Sequence, residues 1–411
     1  MQMLRDMSCL TSRRAQLYSA GLAIALTVIF VRKILFLYYY GGYDLEDNLL
    51  GGDFSSFWAA SRQILLGQSA QVYVPTLHHL AELPILRRGY EYFFYAPTYM
   101  VLCLPLALAP FFISYALFVS TTAVAFTAII WRILRSPWSL VAIVSYPAVY
   151  LNVIAGQNAF LTAAILGCGL GMLNRRPGLA GATLGLMVIK PHLALAVPIA
   201  LIVTGRWRTL AWAGLSAVCL ATLSYLLFGL DTWVGFLNNS HEAREVLELG
   251  GVGFGKMQSM FATARMLGAS VGTAYALQGL VALSAVCTLI WALRQPIGAA
   301  AERSLIVIAS LLISPFSLHY DMVLVAFPLA WMFREWKRDG FPPWSKLVLC
   351  LVFLAPMIDY APIIYNLPFL HPLPFGLPAL LLFSWLLVGG IAKREVESLS
   401  PACMSRHAVT A

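Results

Sequence analysis

The chain has 411 residues, of which 60% are hydrophobic and only 11% charged, with a formal net charge of +9. A soluble domain would carry about 25% charged residues, so a mean hydropathy of +0.79 argues against a water-soluble protein and for one solvated by lipid. The basic residues are scattered through short loops rather than gathered into one stripe, which argues against a nucleic-acid partner.

Apolar runs recur near residues 15–38, 96–134, 137–151, 157–174, 177–190, 191–205, 208–229, 271–293, 301–316, 319–334, 344–362 and 374–392. They predict an all-α integral membrane protein, a polytopic bundle of about 11–13 transmembrane helices. The period-two alternation of a transmembrane barrel is absent. Arg5, Arg13 and Arg14 precede the first run like a signal sequence, but the apolar stretch continues through Ile34–Tyr40 without a small-residue cleavage site, which predicts an uncleaved anchor. The seven cysteines lie in apolar segments or the terminal tails and form no CxxC pair, so neither disulfides nor zinc sites are expected.

Short loops carrying Arg132/Arg135, Arg175/Arg176, Arg206/Arg208, Arg294, Arg334/Lys337/Arg338 and Lys393/Arg394 are predicted to face the cytoplasm. This gives a cytoplasmic N-terminus (1–14), one membrane domain (15–392) and a cytoplasmic tail (393–411). Two long loops, near 41–94 and 230–270, fall outside, as do short turns at 156–158, 190–192, 318–321 and 359–360. Residues 96–134 are long for one crossing and carry Pro105 and Pro110. One crossing plus a half-helix or a strong kink preserves the charge pattern. Arg32 and Lys33 are expected to snorkel to the outer interface beside the Tyr38–Tyr40 aromatic belt. The setting is a multi-pass protein of the inner cell membrane, read as a monomer.

The first loop holds Gly51-Gly52-Asp53-Phe54-Ser55-Ser56-Phe57-Trp58. Phe54, Phe57, Trp58, Ile64 and Leu65 recur at helical spacing, with Ser55, Ser56, Arg62 and Gln63 opposite, and Gly67 can close the element. An amphipathic interfacial helix follows from this pattern. Asp53 suits its N-cap and equally suits a general base. Tyr95 precedes Ala96-Pro97, where proline starts a helix. Gly156-Gln157-Asn158 places two uncharged amides in a tight turn, ordinary at headgroup depth and able to bind sugar hydroxyls.

In Ile189-Lys190-Pro191-His192 the lysine is flanked on both sides by apolar sequence. An ammonium near bilayer depth costs roughly 2.5–3.5 kcal/mol, which points to an anionic partner such as a lipid phosphate, with a snorkelling turn lysine as the plainer reading. Ser314-Pro315-Phe316-Ser317-Leu318-His319-Tyr320-Asp321 brings His319 and Asp321 into another apolar run. Asp321 can cap a helix there, and His319 can donate to a phosphate or sugar oxygen. Gly250–Lys256 resembles a phosphate loop by composition alone and reads as a flexible loop. His78-His79 lacks a third metal ligand.

The order of these motifs carries a resemblance. Gly-Asp-Phe-x-x-Phe-Trp at 52–58, Val72-Tyr73, Tyr95-Ala-Pro97, Leu104-Pro105-Leu106, Gly156-Gln157-Asn158, Lys190-Pro191-His192 and Ser314-Pro315-x-x-x-His319-Tyr320-Asp321 resemble glycosyltransferase family 87 across roughly residues 20–335. This family comprises polyprenol-phosphate-mannose-dependent mannosyltransferases of the GT-C superfamily. The resemblance implies an inverting transfer of a hexose, mannose before others, from a polyprenyl-phosphate-linked donor to a glycolipid or glycan acceptor at the outer face of the bilayer. It implies Asp53 as base and maps the family's His-Tyr-Asp segment on His319, Tyr320 and Asp321. In this reading His319 is the second catalytic residue. Lys190, His192 and Arg62 bind the donor phosphate, and Tyr95, Gln157, Asn158, Tyr320 and Asp321 bind sugar or acceptor. Several GT-C relatives carry paired acidic residues in the first loop. Here Asp53 is followed by Phe54, so no metal and no cofactor besides the donor substrate is expected. The alternative is a transporter or flippase of a lipid-linked saccharide, since broken helices with buried polar residues mark such proteins too. The absence of an inverted repeat and the placement of the polar motifs at one face count against it.

The orientation is open to test by labelling. In a background without native cysteines, Cys placed at Ser69 or Ser240 should react with an impermeant thiol reagent on intact cells, and Cys at Ser405 should not. The opposite pattern would reverse the topology.

Overall fold

The computed structural model describes residues 2–45, 47–360 and 374–398. Among these, regular structure is helical throughout, apart from two isolated antiparallel bridges, Tyr43–Leu49 and Met257–Leu318.

A short α1 (Gln2–Asp6) leads into the long apolar α2 (Ser12–Tyr39). The first long loop folds into α3 (Gly52–Leu65), a 3-10 turn at Ser69–Tyr73 and α4 (Pro75–Glu82). Helix α5 (Pro97–Cys103) and a 3-10 turn at Leu106–Leu108 precede α6 (Phe111–Leu134). Pro105 and Pro110 flank that turn, so residues 96–134 form a half-length helix and one full-length helix. Helices α7 (Trp138–Val144) and α8 (Pro147–Ala155) meet at 56°, and α9 (Ala159–Met172) returns. Next come α10 (Pro177–Gly185) with its 3-10 extension Leu186–Ile189, a 3-10 turn at Pro191–Leu193, and α11 (Ala196–Val203). The chain continues through α12 (Trp207–Leu249), α13 (Met260–Met266), α14 (Val271–Leu293) and α15 (Ala299–Ile313). A 3-10 helix at His319–Val325, α16 (Ala326–Asp339), α17 (Ser345–Tyr360) and α18 (Gly376–Ser398) complete it.

Among the described residues four helices, α2, α6, α12 and α14, are long and apolar enough to cross a bilayer, with a fifth if the bent pair α7–α8 counts as one span. Several further runs read as spans are shorter apolar helices that turn at the polar motifs, because Pro97, Pro177 and Pro191 and the glycines between them cut the helical ladder. The molecule is an all-α polytopic membrane protein. Two local differences from the sequence reading stand out. The segment read as the second long loop is largely helical, since α12 runs on to Leu249 past a break at Gly229 (φ 78°, ψ 174°) that only glycine adopts readily. Asp359 and Tyr360 still belong to α17, and the tail 399–411 lies outside the described residues.

The basic loops gather at one end. Arg206 pairs with Glu302 and donates to Asn174 Oδ1 (3.0 Å), Arg334 donates to the Ile133 carbonyl (2.8 Å), and the Trp344 amide donates to the Arg5 carbonyl (2.6 Å). Helices α6, α9, α10, α11, α15 and α16 run between this end and the end holding the polar motifs. Lipid offers little hydrophobic drive between helices, so close contact of small residues takes over. Helix α10 lies on α12 through Gly181 and Gly185, where a methyl group would collide with the Thr209 and Ala213 carbonyls. Gly181→Val should therefore lower the thermal midpoint of the purified protein by forcing these backbones apart, overpacking being worth about 1–3 kcal/mol. An unchanged melting curve would show that α10 and α12 do not touch here.

Candidate active site

Helix α3 is amphipathic, and both its faces are covered. Phe54 and Phe57 are buried against Phe111, Tyr115 and Phe118 on one side. On the other, the polar residues meet α4 rather than the bilayer surface: Ser55 Oγ donates to Glu82 Oε1 (3.1 Å), Ser56 Oγ lies 3.1 Å from His78 Nε2, and His78 Nδ1 lies 2.8 Å from Gln63 Oε1. Trp58 Nε1 and Ser61 Oγ donate to the Ala109 and Leu104 carbonyls. These bonds fix α3 on every side.

The N-cap of α3 is Gly51, in the left-handed region (φ 74°), so Asp53 sits in the first turn and does not cap the helix. The Gly51 amide donates to the Ile154 carbonyl (2.9 Å), and a Cβ on Gly156 would strike Phe54 and the Gly51 Cα. Two glycines thus let the 156–158 turn press on the start of α3. The result is a short relay: Tyr95 Oη donates to Gln157 Oε1 (2.9 Å), the Asn158 amide donates to the same oxygen (3.1 Å), and Gln157 Nε2 donates to Asp53 Oδ2 (2.8 Å). The two bonds on Oε1 fix the amide orientation, which leaves Nε2 to face the carboxylate. Asn158, fully buried, points its side chain towards Tyr95 and Tyr99.

On the far side of the cluster, Lys190 Nζ lies 2.7 Å from Asp321 Oδ1, with 4% and 0% of the two side chains exposed. Asp321 also accepts from the Leu318 amide through Oδ2 (3.0 Å), capping its own 3-10 helix. The Tyr320 ring lies 5.2 Å from Lys190 Nζ. The anion that the buried lysine requires is therefore supplied by the protein itself.

Both halves share one electrostatic environment. Burial raises the pKa of Asp53 above the usual carboxylate value, while the Gln157 amide and the charges of Lys256 and Lys190 pull it back. Glu91 is pushed up to about 8 by burial and then by the charges of Asp53 and Glu82. Glu82, which accepts from Ser55 and from the Glu91 amide (3.2 Å), is raised to about 8 by burial. Among the described residues no three His, Cys, Asp or Glu side chains converge as metal ligands.

Of the residues singled out in the sequence, Asp53, Tyr95, Gln157, Asn158, Lys190, Tyr320 and Asp321 come together. His319 stands beside them, its Nδ1 lying 3.2 Å from the Lys256 carbonyl. His192 adjoins Lys190, with a buried Nε2 that has no hydrogen-bond partner among the described residues. Arg62 is not brought in. It lies more than two turns along α3 from Asp53, stacked over Trp58 (5.2 Å). Sequence reasoning missed Glu91 and Lys256. Glu91 belongs to an extended segment in which Glu91, Phe93 and Tyr95 alternate with Tyr90, Tyr92 and Phe94, a period-two signal that identifies it in retrospect. Lys256 sits in the glycine-rich loop read as flexible. That loop is bonded down through the Met257–Leu318 bridge and the Gln258 amide on the Ser317 carbonyl (2.6 Å).

A family model, glycosyltransferase family 87, matches residues 93–315, more than half of the chain. The chain belongs to glycosyltransferase family 87. No curated protein and no solved structure matches it. It is thus a membrane glycosyltransferase, which weighs against the transport alternative. The part matched to family 87 holds Tyr95, Gln157, Asn158, Lys190 and His192, while Asp53, Arg62, His319, Tyr320 and Asp321 lie outside it. The Gln157–Asp53 and Lys190–Asp321 bonds tie the two parts into one site.

The ion pair is open to a stability test. Breaking a buried pair by removing one partner strands the other charge and costs about 3–5 kcal/mol. Asp321→Asn should therefore lower the unfolding midpoint markedly. A Lys190→Met/Asp321→Leu double variant should recover much of the loss. If Asp321→Asn unfolds like the wild type, Lys190 is not held by Asp321.

Proposed function

We propose that this family 87 enzyme transfers a hexose, mannose before others, from a polyprenyl-phosphate donor to a hydroxyl of a glycolipid or glycan acceptor at the outer face of the inner cell membrane, with inversion at the anomeric carbon. The observation that carries this reading is the carboxylate of Asp53, fixed by Gln157 at the start of a helix that is itself clamped on both faces.

In the reaction Asp53 takes the proton of the acceptor hydroxyl as its oxygen bonds to the anomeric carbon. The bond from that carbon to the phosphate oxygen breaks, and the electron pair leaves with the polyprenyl phosphate. A carboxylate whose pKa is raised by burial is a stronger base than one in water, and it stays ionised in part because Gln157 donates to it. Tyr95, Gln157 and Asn158 orient sugar or acceptor hydroxyls. Tyr320 and the Lys190–Asp321 pair form the wall behind the sugar. His319 donates through Nδ1 to the Lys256 carbonyl, so its neutral ring offers Nε2 as an acceptor to a sugar or acceptor hydroxyl rather than a proton to the phosphate. No nucleotide pocket is needed, because the leaving group already resides in the bilayer. No cofactor and no metal enters this scheme.

The test is an assay of purified protein with polyprenyl-phosphate mannose and a panel of lipid acceptors. Asp53→Asn keeps the shape and the contact with Gln157 but removes the base. It should cut turnover by at least 10²-fold, a general base being worth about 10²–10⁴-fold. Retention of more than roughly a tenth of the wild-type rate sinks the assignment. Asp53 must be ionised to act, so kcat/KM should fall as pH drops through its raised pKa, with the acid limb above the ordinary carboxylate value of 3.8. An acid limb at or below that value would show that Asp53 does not control the reaction.

A further inference from the structure

Lys190, the cation that the sequence marks most strongly, is committed to Asp321 at 2.7 Å and is almost wholly enclosed. Its charge is spent inside the protein. Lys256 stands differently. It is exposed, and among the described residues no carboxylate lies within salt-bridge distance of it. Its position is nonetheless fixed. The Lys256 carbonyl meets His319 Nδ1 (3.2 Å), the next residue bridges Leu318, and the Gln258 amide donates to the Ser317 carbonyl (2.6 Å). Gln258 Oε1 in turn accepts from the Gly376 amide at the start of α18 (2.8 Å). The second outer loop is therefore laced to the 317–319 turn, and it carries an ammonium within electrostatic reach of Asp53, Glu91 and His319.

From this geometry we infer that Lys256 is the residue that binds the phosphate of the lipid-linked donor and stabilises it as it departs. The inference rests on the donor chemistry proposed above. A sugar phosphodiester carries one negative charge. The polyprenyl phosphate left after transfer is a monoester and approaches two, its second pKa being about 6. The charge that grows during the reaction belongs to the leaving group, so a cation placed there lowers the barrier more than it tightens the ground state. An exposed lysine at the mouth of the site can meet a phosphate that stays at headgroup level, whereas the enclosed Lys190 would first have to give up Asp321. Lys256 and Asp53 then act at opposite ends of the bond being exchanged, one on the leaving oxygen and one on the attacking oxygen.

The experiment compares binding of a polyprenyl phosphate with that of the polyprenol of equal chain length to purified protein in nanodiscs, followed by tryptophan fluorescence. The wild type should prefer the phosphate by roughly tenfold or more, the scale of one charge-assisted hydrogen bond. Lys256→Met should erase most of that preference, Lys256→Arg should retain it, and Lys337→Met, at the opposite end of the molecule, should leave it unchanged. In turnover, Lys256→Met should lower kcat more than it raises the donor KM. A wild type that prefers the phosphate together with a Lys256→Met that prefers it equally overturns this inference and leaves the donor assignment standing. A wild type without any preference overturns both. Lys256 is exposed, so its loss should leave the melting curve intact, and an intact curve keeps a binding defect attributable to the site.

Discussion

The buried bond between Lys190 and Asp321 sets the arrangement around it. These residues lie in two turns far apart in the sequence, each interrupting an apolar run. Neither charge is stable alone at that depth. Pairing them fixes the 190–192 turn against the 318–321 turn, and Asp321 simultaneously caps the helix it begins. Replacing such a pair by apolar residues is often neutral for stability, so its value here lies in register: only one docking of the two turns neutralises both charges. Tyr146, donating to the Met322 carbonyl (2.6 Å), fastens the bent α7–α8 pair to the same element.

A second constraint acts on the opposite wall. Helix α3 begins where Gly51 and Gly156 let two backbones touch, and this contact sets Gln157 against Asp53. The polar residues Ser55, Ser56 and Gln63 of α3 are absorbed by Glu82 and His78 of α4, a network enclosed between the two helices. Burial drives the His78 pKa down to about 3 and the Glu82 pKa up to about 8, so at neutral pH both are chiefly uncharged. The network therefore orients α3 without adding a strong field of its own. Asp53 feels mainly Lys256 and the Lys190–Asp321 pair.

Much of this was legible in the sequence because cost is legible. Lys190, Asp321, Gln157 and Asn158 stand out as polar residues in apolar runs, and all of them meet in the structure. The membrane class and the α3 helix follow from composition and helical periodicity alone. What escaped reading has a common cause, namely that the partner of a costly group is set by tertiary contact. The anion facing Lys190 is a protein carboxylate 131 positions away, where the sequence suggested only that some anion was needed. Arg62 reads in the sequence as a phosphate ligand alongside Lys190 and His192, but helical phase sets it over Trp58, away from Asp53 on the same helix. Lys256 looked like part of a slack glycine-rich loop, since backbone bonds to 317–319 leave no trace in composition.

These features bear on why so few charges serve a reaction that moves one. In the proposed reaction a lipid-linked donor would enter from the membrane plane, so its apolar chain would need no polar cradle, and polar residues would be required only where the bond is exchanged. Around that point the protein keeps Lys190 and Asp321 as a neutral pair and holds the pKa of Glu91 near 8. On the proposed reading two groups would respond to the reaction: a carboxylate whose basicity burial has increased, and a lysine with no carboxylate in salt-bridge distance among the described residues. In a site partly shielded from water, the field between such a pair is screened less than it would be in solution. A negative charge moving from the acceptor oxygen to the phosphate would travel towards Lys256 and away from Asp53. Silencing the other charges would keep that gradient from being cancelled, which would give the buried ion pair an electrostatic part in the proposed transfer.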